Sequence, residues 1–276
     1  MMMVKSVFVG ASLPYYYYKE LGESGANELI VWADFLNKPK WIKDKNRWLQ
    51  FREFDIPLSV SFSAFEQGDC PASNESRKKF FYKLHRALKL KPKVIWLDHF
   101  RFDGYWEGVE NGHIPETHTE CQYCIGKNRA LVVKSIADSA KRKVGRQSSL
   151  GYFAVPFRIE EIPDLILELG QDHRILGSIF QKVSPMLYHR MLGKPVSYIS
   201  EYTSYLGKLT NAEIVPIIQI KDMPDDISDS LGKEEFEKSL EEAVKNPSNG
   251  VSIFMWEHIV RSEKLNWVKE SFVRKL

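Results

Sequence analysis

Lys93-Val94-Ile95-Trp96-Leu97-Asp98-His99-Phe100-Arg101-Phe102-Asp103 decides how this chain is read. Lys93 to Leu97 has the length and near-continuous apolar character of a buried strand. The strand ends on a carboxylate, and Arg101, Asp103, Tyr105, Trp106 and Glu107 follow within ten residues. Such a mixture is costly inside a core, where an unpaired charge loses its hydration, but it suits a polar, aromatic-lined cup. Aromatic faces stack on the C–H side of a pyranose while acids and arginine bond its hydroxyls, so the segment points to a sugar site. A buried Asp98–Arg101 ion pair closing the strand is the plainer alternative.

Working outward, similar runs recur at Val4–Ala11, Glu28–Asp34, Pro57–Phe62, Leu150–Phe157, Val183–Tyr188, Glu213–Gln219 and Gly250–Trp256, which makes eight with Lys93–Asp98. Helical spacing of apolar residues lies between them at Ser76–Leu90, Gly126–Lys143 and Lys233–Lys245, and again at Ser262–Leu276. Gly170 and Gly177 predict a broken helix within Asp164–Phe180. Eight strands alternating with helices over about 250 residues predict a single (β/α)8 TIM barrel of class α/β, spanning 1–276 as one catalytic domain. A doubly wound open sheet is the runner-up, but Gly10-Ala11-Ser12-Leu13-Pro14 is no glycine-rich dinucleotide turn, and no P-loop occurs.

Composition limits the function classes. The 276 residues are 43% hydrophobic and 27% charged, enough for a large core without disulfide staples. The 39 basic and 36 acidic residues are dispersed, so the basic stripe of nucleic-acid binding is missing. No apolar run reaches membrane-spanning length, and Met1 to Leu13 lacks a signal-peptide cleavage pattern. Three cysteines without a leader predict a reducing, cytoplasmic setting, and nothing predicts an organic cofactor. The sequence carries no signal for oligomeric state.

In such a barrel the chemistry sits at the C-terminal strand ends. That rule selects Trp32 and Asp34 after the second strand, Ser63, Phe65 and Glu66 after the third, and Asp98, His99, Arg101 and Asp103 after the fourth. It adds Tyr188 and His189 after the sixth, Gln219, Lys221 and Asp222 after the seventh, and Trp256, Glu257 and His258 after the eighth. Glycoside hydrolysis needs two carboxyl groups, and strands four and eight face each other, so Asp98 and Glu257 are the expected catalytic pair. Trp256 beside Glu257 is expected to raise that acid's pKa. Substrate contacts are expected from Trp32, Asp34, His99, Arg101, Asp103, Tyr105, Trp106, Glu107, Tyr188, His189, Gln219 and Trp256. Cys121 and Cys124 have metal-ligand spacing, and Cys70 lies in the adjoining loop; with His118 or His113 they would form a closed Cys3His structural zinc site.

Asp98-x-x-Arg101-Phe102, Cys121-Gln122-Tyr123-Cys124, Val183-Ser184-Pro185-Met186-Leu187-Tyr188-His189 and Trp256-Glu257 together resemble poorly characterised glycoside-hydrolase-like TIM barrels over residues 93 to 257. The resemblance implies a catalytic acid after strand four, here Asp98. Leu97 to Glu107 also resembles the nucleophile segment of amylomaltase-type glucanotransferases, but Trp96 stands where those enzymes have Arg. The cysteine arrangement is similar to that of zinc-containing β-galactosidases, whose cluster has one further Cys where this chain has Thr119. The expected function is cleavage of a glycosidic bond in a sugar or oligosaccharide. The alternatives are a non-catalytic carbohydrate-binding barrel and a metal-dependent hydrolase; the latter lacks a His-x-His ending the first strand.

Overall fold

The structure, a computed structural model, describes residues 3–10, 18–38, 56–104, 118–222 and 229–274. The strands are β1 (Val4–Gly10), β2 (Glu28–Trp32), β3 (Leu58–Ser63), β4 (Val94–Asp98), β5 (Ser149–Ala154), β6 (Lys182–Pro185), β7 (Glu213–Ile214), β8 (Ile217–Gln219) and β9 (Gly250–Phe254). The helices are α1 (Tyr18–Gly22), α2 (Asn74–Lys89), α3 (Arg129–Val144), α4 (Leu165–Leu169), α5 (His173–Ile179), α6 (Tyr198–Leu209), α7 (Lys233–Ala243), α8 (Trp256–Arg261) and α9 (Leu265–Arg274).

All strand pairs are parallel, in the order β7-β6-β5-β4-β3-β2-β1-β9-β8. The expected seventh strand is split at Pro216, which has no N–H to give to a ladder. Its two pieces still join the ends of the sheet. Val215 N–H donates to Val183 O at 3.0 Å, Leu187 N–H to Ile217 O at 2.8 Å, and Ser252 N–H to Pro216 O at 2.8 Å. β7 and β8 are therefore one interrupted barrel stave between β6 and β9, and the fold is a (β/α)8 barrel.

Strand residues alternate between two environments, as the two-residue strand period requires. Phe8, Ile30, Val94, Trp96, Phe153 and Tyr188 share a cluster inside the barrel. Their neighbours Val7, Ile95, Leu97, Tyr152 and Ile253 instead pack outward against helix residues such as Phe80, Val133 and Phe236. The predicted break near Gly170 is present: α4 ends there with φ +69°, a left-handed conformation that glycine adopts without a Cβ penalty. Helix α6 joins the barrel without having been singled out in the sequence. Its period is carried by Ile199, Tyr202 and Leu206, two of them a tyrosine or a neighbour of polar residues, which dilutes the apolar signal.

Candidate functional site at the C-terminal rim

Asp98 is the last residue of β4, in phase with the inward-facing Val94 and Trp96, so the strand period turns its carboxylate into the barrel mouth. Its Oδ1 accepts the His99 backbone N–H at 2.8 Å, and its Oδ2 lies 3.3 Å from His99 Nδ1. His99 has φ +46°, an uncommon backbone conformation that folds the residue back over the acid. The same ring nitrogen stands 3.4 Å from Ser63 Oγ at the end of β3. Burial pushes Asp98 toward its neutral form, but hydrogen bonding and charge from His99, with the charge of Arg101, outweigh it and hold the carboxyl below its usual range.

Glu257 meets the opposite conditions. It lies in the first turn of α8, and its Oε1 accepts the Gly10 N–H at the end of β1 at 2.8 Å. Its Oε2 is buried and has no hydrogen-bond partner among the described residues. Burial raises its pKa above the ordinary glutamate value, against weaker lowering by its own backbone, Gly10 and Arg261.

Below the acids the barrel is floored by aromatic rings. Trp96 stacks on Phe153 with centroids 5.5 Å apart and planes 7° from parallel, and Phe8 meets Phe153 at 5.5 Å and Phe254 at 5.6 Å. Tyr188 packs against Phe254 at 5.5 Å; burial and then the charge of Asp98 raise its phenol well above its usual pKa. Trp96 Nε1 and the register-paired Ser61 Oγ are buried without partners among the described residues. Trp96, Phe8 and Phe153 are at most 3% exposed and pack on one another, so they form a rigid base, and the half-buried rings of Phe254 and Trp32 at the strand ends are the ones placed to meet a ligand.

Several expected substrate contacts have other tasks. Trp256 is fully buried in the shell between barrel and helices, because the chain turns into α8 there and leaves the strand alternation. The ring at the end of that strand is Phe254, which sequence reasoning missed. Arg101 is buried and donates to Phe102 O at 3.0 Å and Gly104 O at 3.3 Å, so it holds its own loop. His189 Nε2 lies 2.8 Å from Glu235 Oε1, and Gln219 bridges Arg190 N–H and Lys221 O. Arg190 in turn pairs with Asp222 at 2.8 Å and with Glu235. These groups tie together the loops after β6 and β8 and the start of α7.

The remaining expected residues divide by position. Trp32 is half-buried at the end of β2, in phase with inward Ile30. Asp103 accepts the Gly68 N–H at 3.2 Å and the Gly104 N–H at 3.1 Å, linking the loops after β3 and β4. Asp34 opens a short 3-10 turn, Asp34–Asn37. Tyr105, Trp106, Glu107 and His113 lie outside the described residues. The sulfurs of Cys70, Cys121 and Cys124 and a ring nitrogen of His118 lie within 4.8 Å of one another. Among the described residues no other group of three or more His, Cys, Asp or Glu is arranged to hold a metal ion, and no helix is long and apolar enough to cross a membrane.

No family model and no curated protein sequence matches this chain. Solved structures do. The glycoside hydrolase domain of PgaB (BpsB) from Bordetella bronchiseptica superposes with a TM-score of 0.68 at 7% identity, covering 100% of both chains. A chitinase from Chromobacterium violaceum gives 0.63 at 10% identity over 99% of this chain and 100% of its own. D-psicose 3-epimerase from Clostridium cellulolyticum, solved with D-tagatose, gives 0.51 at 13% identity over 99% and 96%. At these identities the likeness establishes the fold, and the function has to be argued from the site.

Proposed function

We propose that the protein is a glycoside hydrolase in which Glu257, protonated, delivers a proton to the leaving glycosidic oxygen while ionised Asp98 attacks the anomeric carbon or activates a water. The observation that carries this reading is the contrast between two carboxyl groups on one barrel rim. His99 and Arg101 favour the anion at Asp98, whereas burial and an unpaired oxygen favour the neutral acid at Glu257. Environments that push two acids apart are the usual basis for dividing acid and base roles. The half-buried rings of Trp32 and Phe254 at the strand ends support a sugar as substrate, and the glycoside hydrolases among the structural neighbours support the same class. Three unpaired cysteines favour a reducing compartment such as the cytoplasm.

The pH dependence of kcat/KM tests the assignment. Activity requires Asp98 ionised and Glu257 protonated. It therefore rises as pH passes through the depressed Asp98 pKa and falls as pH passes through the elevated Glu257 pKa, giving an acidic optimum between them. Glu257→Gln should abolish the alkaline limb along with most turnover. An unchanged alkaline limb in that variant would refute the role.

A further inference from the structure

We propose that Cys70, His118, Cys121 and Cys124 form a closed, tetrahedral Zn²⁺ site that clamps the loop after β3 to the segment leading into α3. This goes beyond the glycoside reading and does not depend on it. A tetrahedron with metal–sulfur bonds of about 2.3 Å has edges of roughly 3.8 Å. The four candidate ligand atoms already lie within 4.8 Å of one another, although Cys70 is 48 residues before His118 in the chain. Small rotamer adjustments close the remaining gap.

The local backbone is shaped for the same purpose. His118 has φ +62°, in the left-handed region that histidine enters more readily than most side chains, and its carbonyl accepts the Cys121 N–H at 3.1 Å. Cys121 O then accepts N–H groups from Cys124 at 3.2 Å and Ile125 at 3.0 Å, a tight turn that brings both sulfurs to one side. Cys70 and Cys124 are buried, 5% and 3% exposed, whereas Cys121 and His118 are half-buried at the rim of the cluster. Three thiols and an imidazole are a soft, nitrogen-and-sulfur donor set that suits Zn²⁺, and calcium or magnesium would require oxygens. With four protein ligands no position is left for water or substrate, so the ion is structural. On binding, the three thiols lose their protons to solvent and coordinate as thiolates.

The clamp reaches the candidate active site through two contacts. Phe102 meets the His118 ring edge-on at 5.8 Å, and Asp103 accepts the Gly68 N–H of the loop that carries Cys70. Fixing the four ligands thus fixes both ends of the segment that follows Asp98.

The test uses the full chain purified under reducing conditions without added metal. Elemental analysis should find about one zinc per chain, and X-ray absorption should show a shell of three sulfurs and one nitrogen. Chelation should lower Tm by several degrees, and restoring Zn²⁺ should recover it. Cys121→Ser and Cys124→Ser should each lose the metal. Because such variants can also misfold, the chelated wild-type protein is titrated with Co²⁺, and the intense visible absorption of a tetrahedral thiolate complex is expected at one equivalent. Only traces of zinc together with no tetrahedral Co²⁺ signal would overturn the proposal, as would a bound zinc with no sulfur in its shell.

Discussion

A carboxyl group that is hydrogen-bonded through one oxygen and dry at the other is a poor anion. Glu257 is in that position, with Oε1 on Gly10 N–H and Oε2 buried, and its pKa is raised accordingly, which is the basis for the proposed role as proton donor. His173 shows the same physics with the opposite charge. It is buried between Tyr152, whose hydroxyl lies 3.1 Å from Nδ1, and Tyr202, 3.3 Å from Nε2. Burial, only partly offset by the nearby Asp172 charge and a backbone bond at Val155, lowers its pKa to about 4 from 6.5. The unfolded chain takes up that proton near pH 6.5 and the folded chain only near pH 4, so stability should fall as pH drops through this window. The slope is about 1.4 kcal/mol per pH unit, for a total near 3 kcal/mol. Thermal unfolding from pH 7 to pH 4.5 should show this decline in the wild type and a shallower one in His173→Gln. Parallel curves would mean that other groups cause the acid sensitivity.

At the scale of elements, the strands and their order were legible because each is a short apolar run bounded by polar or glycine-rich sequence. Which side chains face the barrel was harder to read. Gly250-Val251-Ser252-Ile253-Phe254 alternates small or polar with β-branched residues, and that alternation already marks Phe254 as inward. Reading the run onward to Trp256 hid the signal, since the helix begins there and places Trp256 in the outer core. The cysteine cluster was legible because Cys-x-x-Cys spacing is local and the barrel order places the loops after β3 and β4 side by side. The loop-holding duties of Arg101, His189 and Gln219 depend on carbonyls and carboxylates distant in sequence, which no local pattern reveals.

Two glycines make the element-scale account testable. A Cβ on Gly151 of β5 would lie 2.5 Å from Trp96 Cε3. Gly151→Ala should therefore cost about 1–3 kcal/mol by overpacking and push Trp96 off its stack with Phe153. Denaturant unfolding and the tryptophan fluorescence of the folded state check both effects, and an unperturbed protein would show that the floor is loosely packed. At Gly170, a Cβ would meet Arg129 O at 2.8 Å and the left-handed φ would be strained. Gly170→Ala should lower stability by about 1–3 kcal/mol, and a smaller change would mean that the α4–α5 turn yields easily.

Across the whole molecule, the barrel gathers into one rim residues that are far apart in the chain. β4 and β9 stand opposite each other in the strand order, so Asp98 and Glu257 approach the mouth from different sides, above rings contributed by β1, β4, β5 and β9. The same barrel in the structural neighbours carries both glycoside hydrolases and an epimerase, so the account stands on the acid pair and not on the fold. The most direct measurement is turnover of a panel of aryl glycosides by the wild type, Asp98→Asn and Glu257→Gln, with folding of each checked by circular dichroism. The account predicts that the wild type cleaves at least one glycoside and that each variant, still folded, loses at least ~100-fold in kcat. Near-wild-type turnover in either folded variant, or a wild type that cleaves none of the panel, would contradict it.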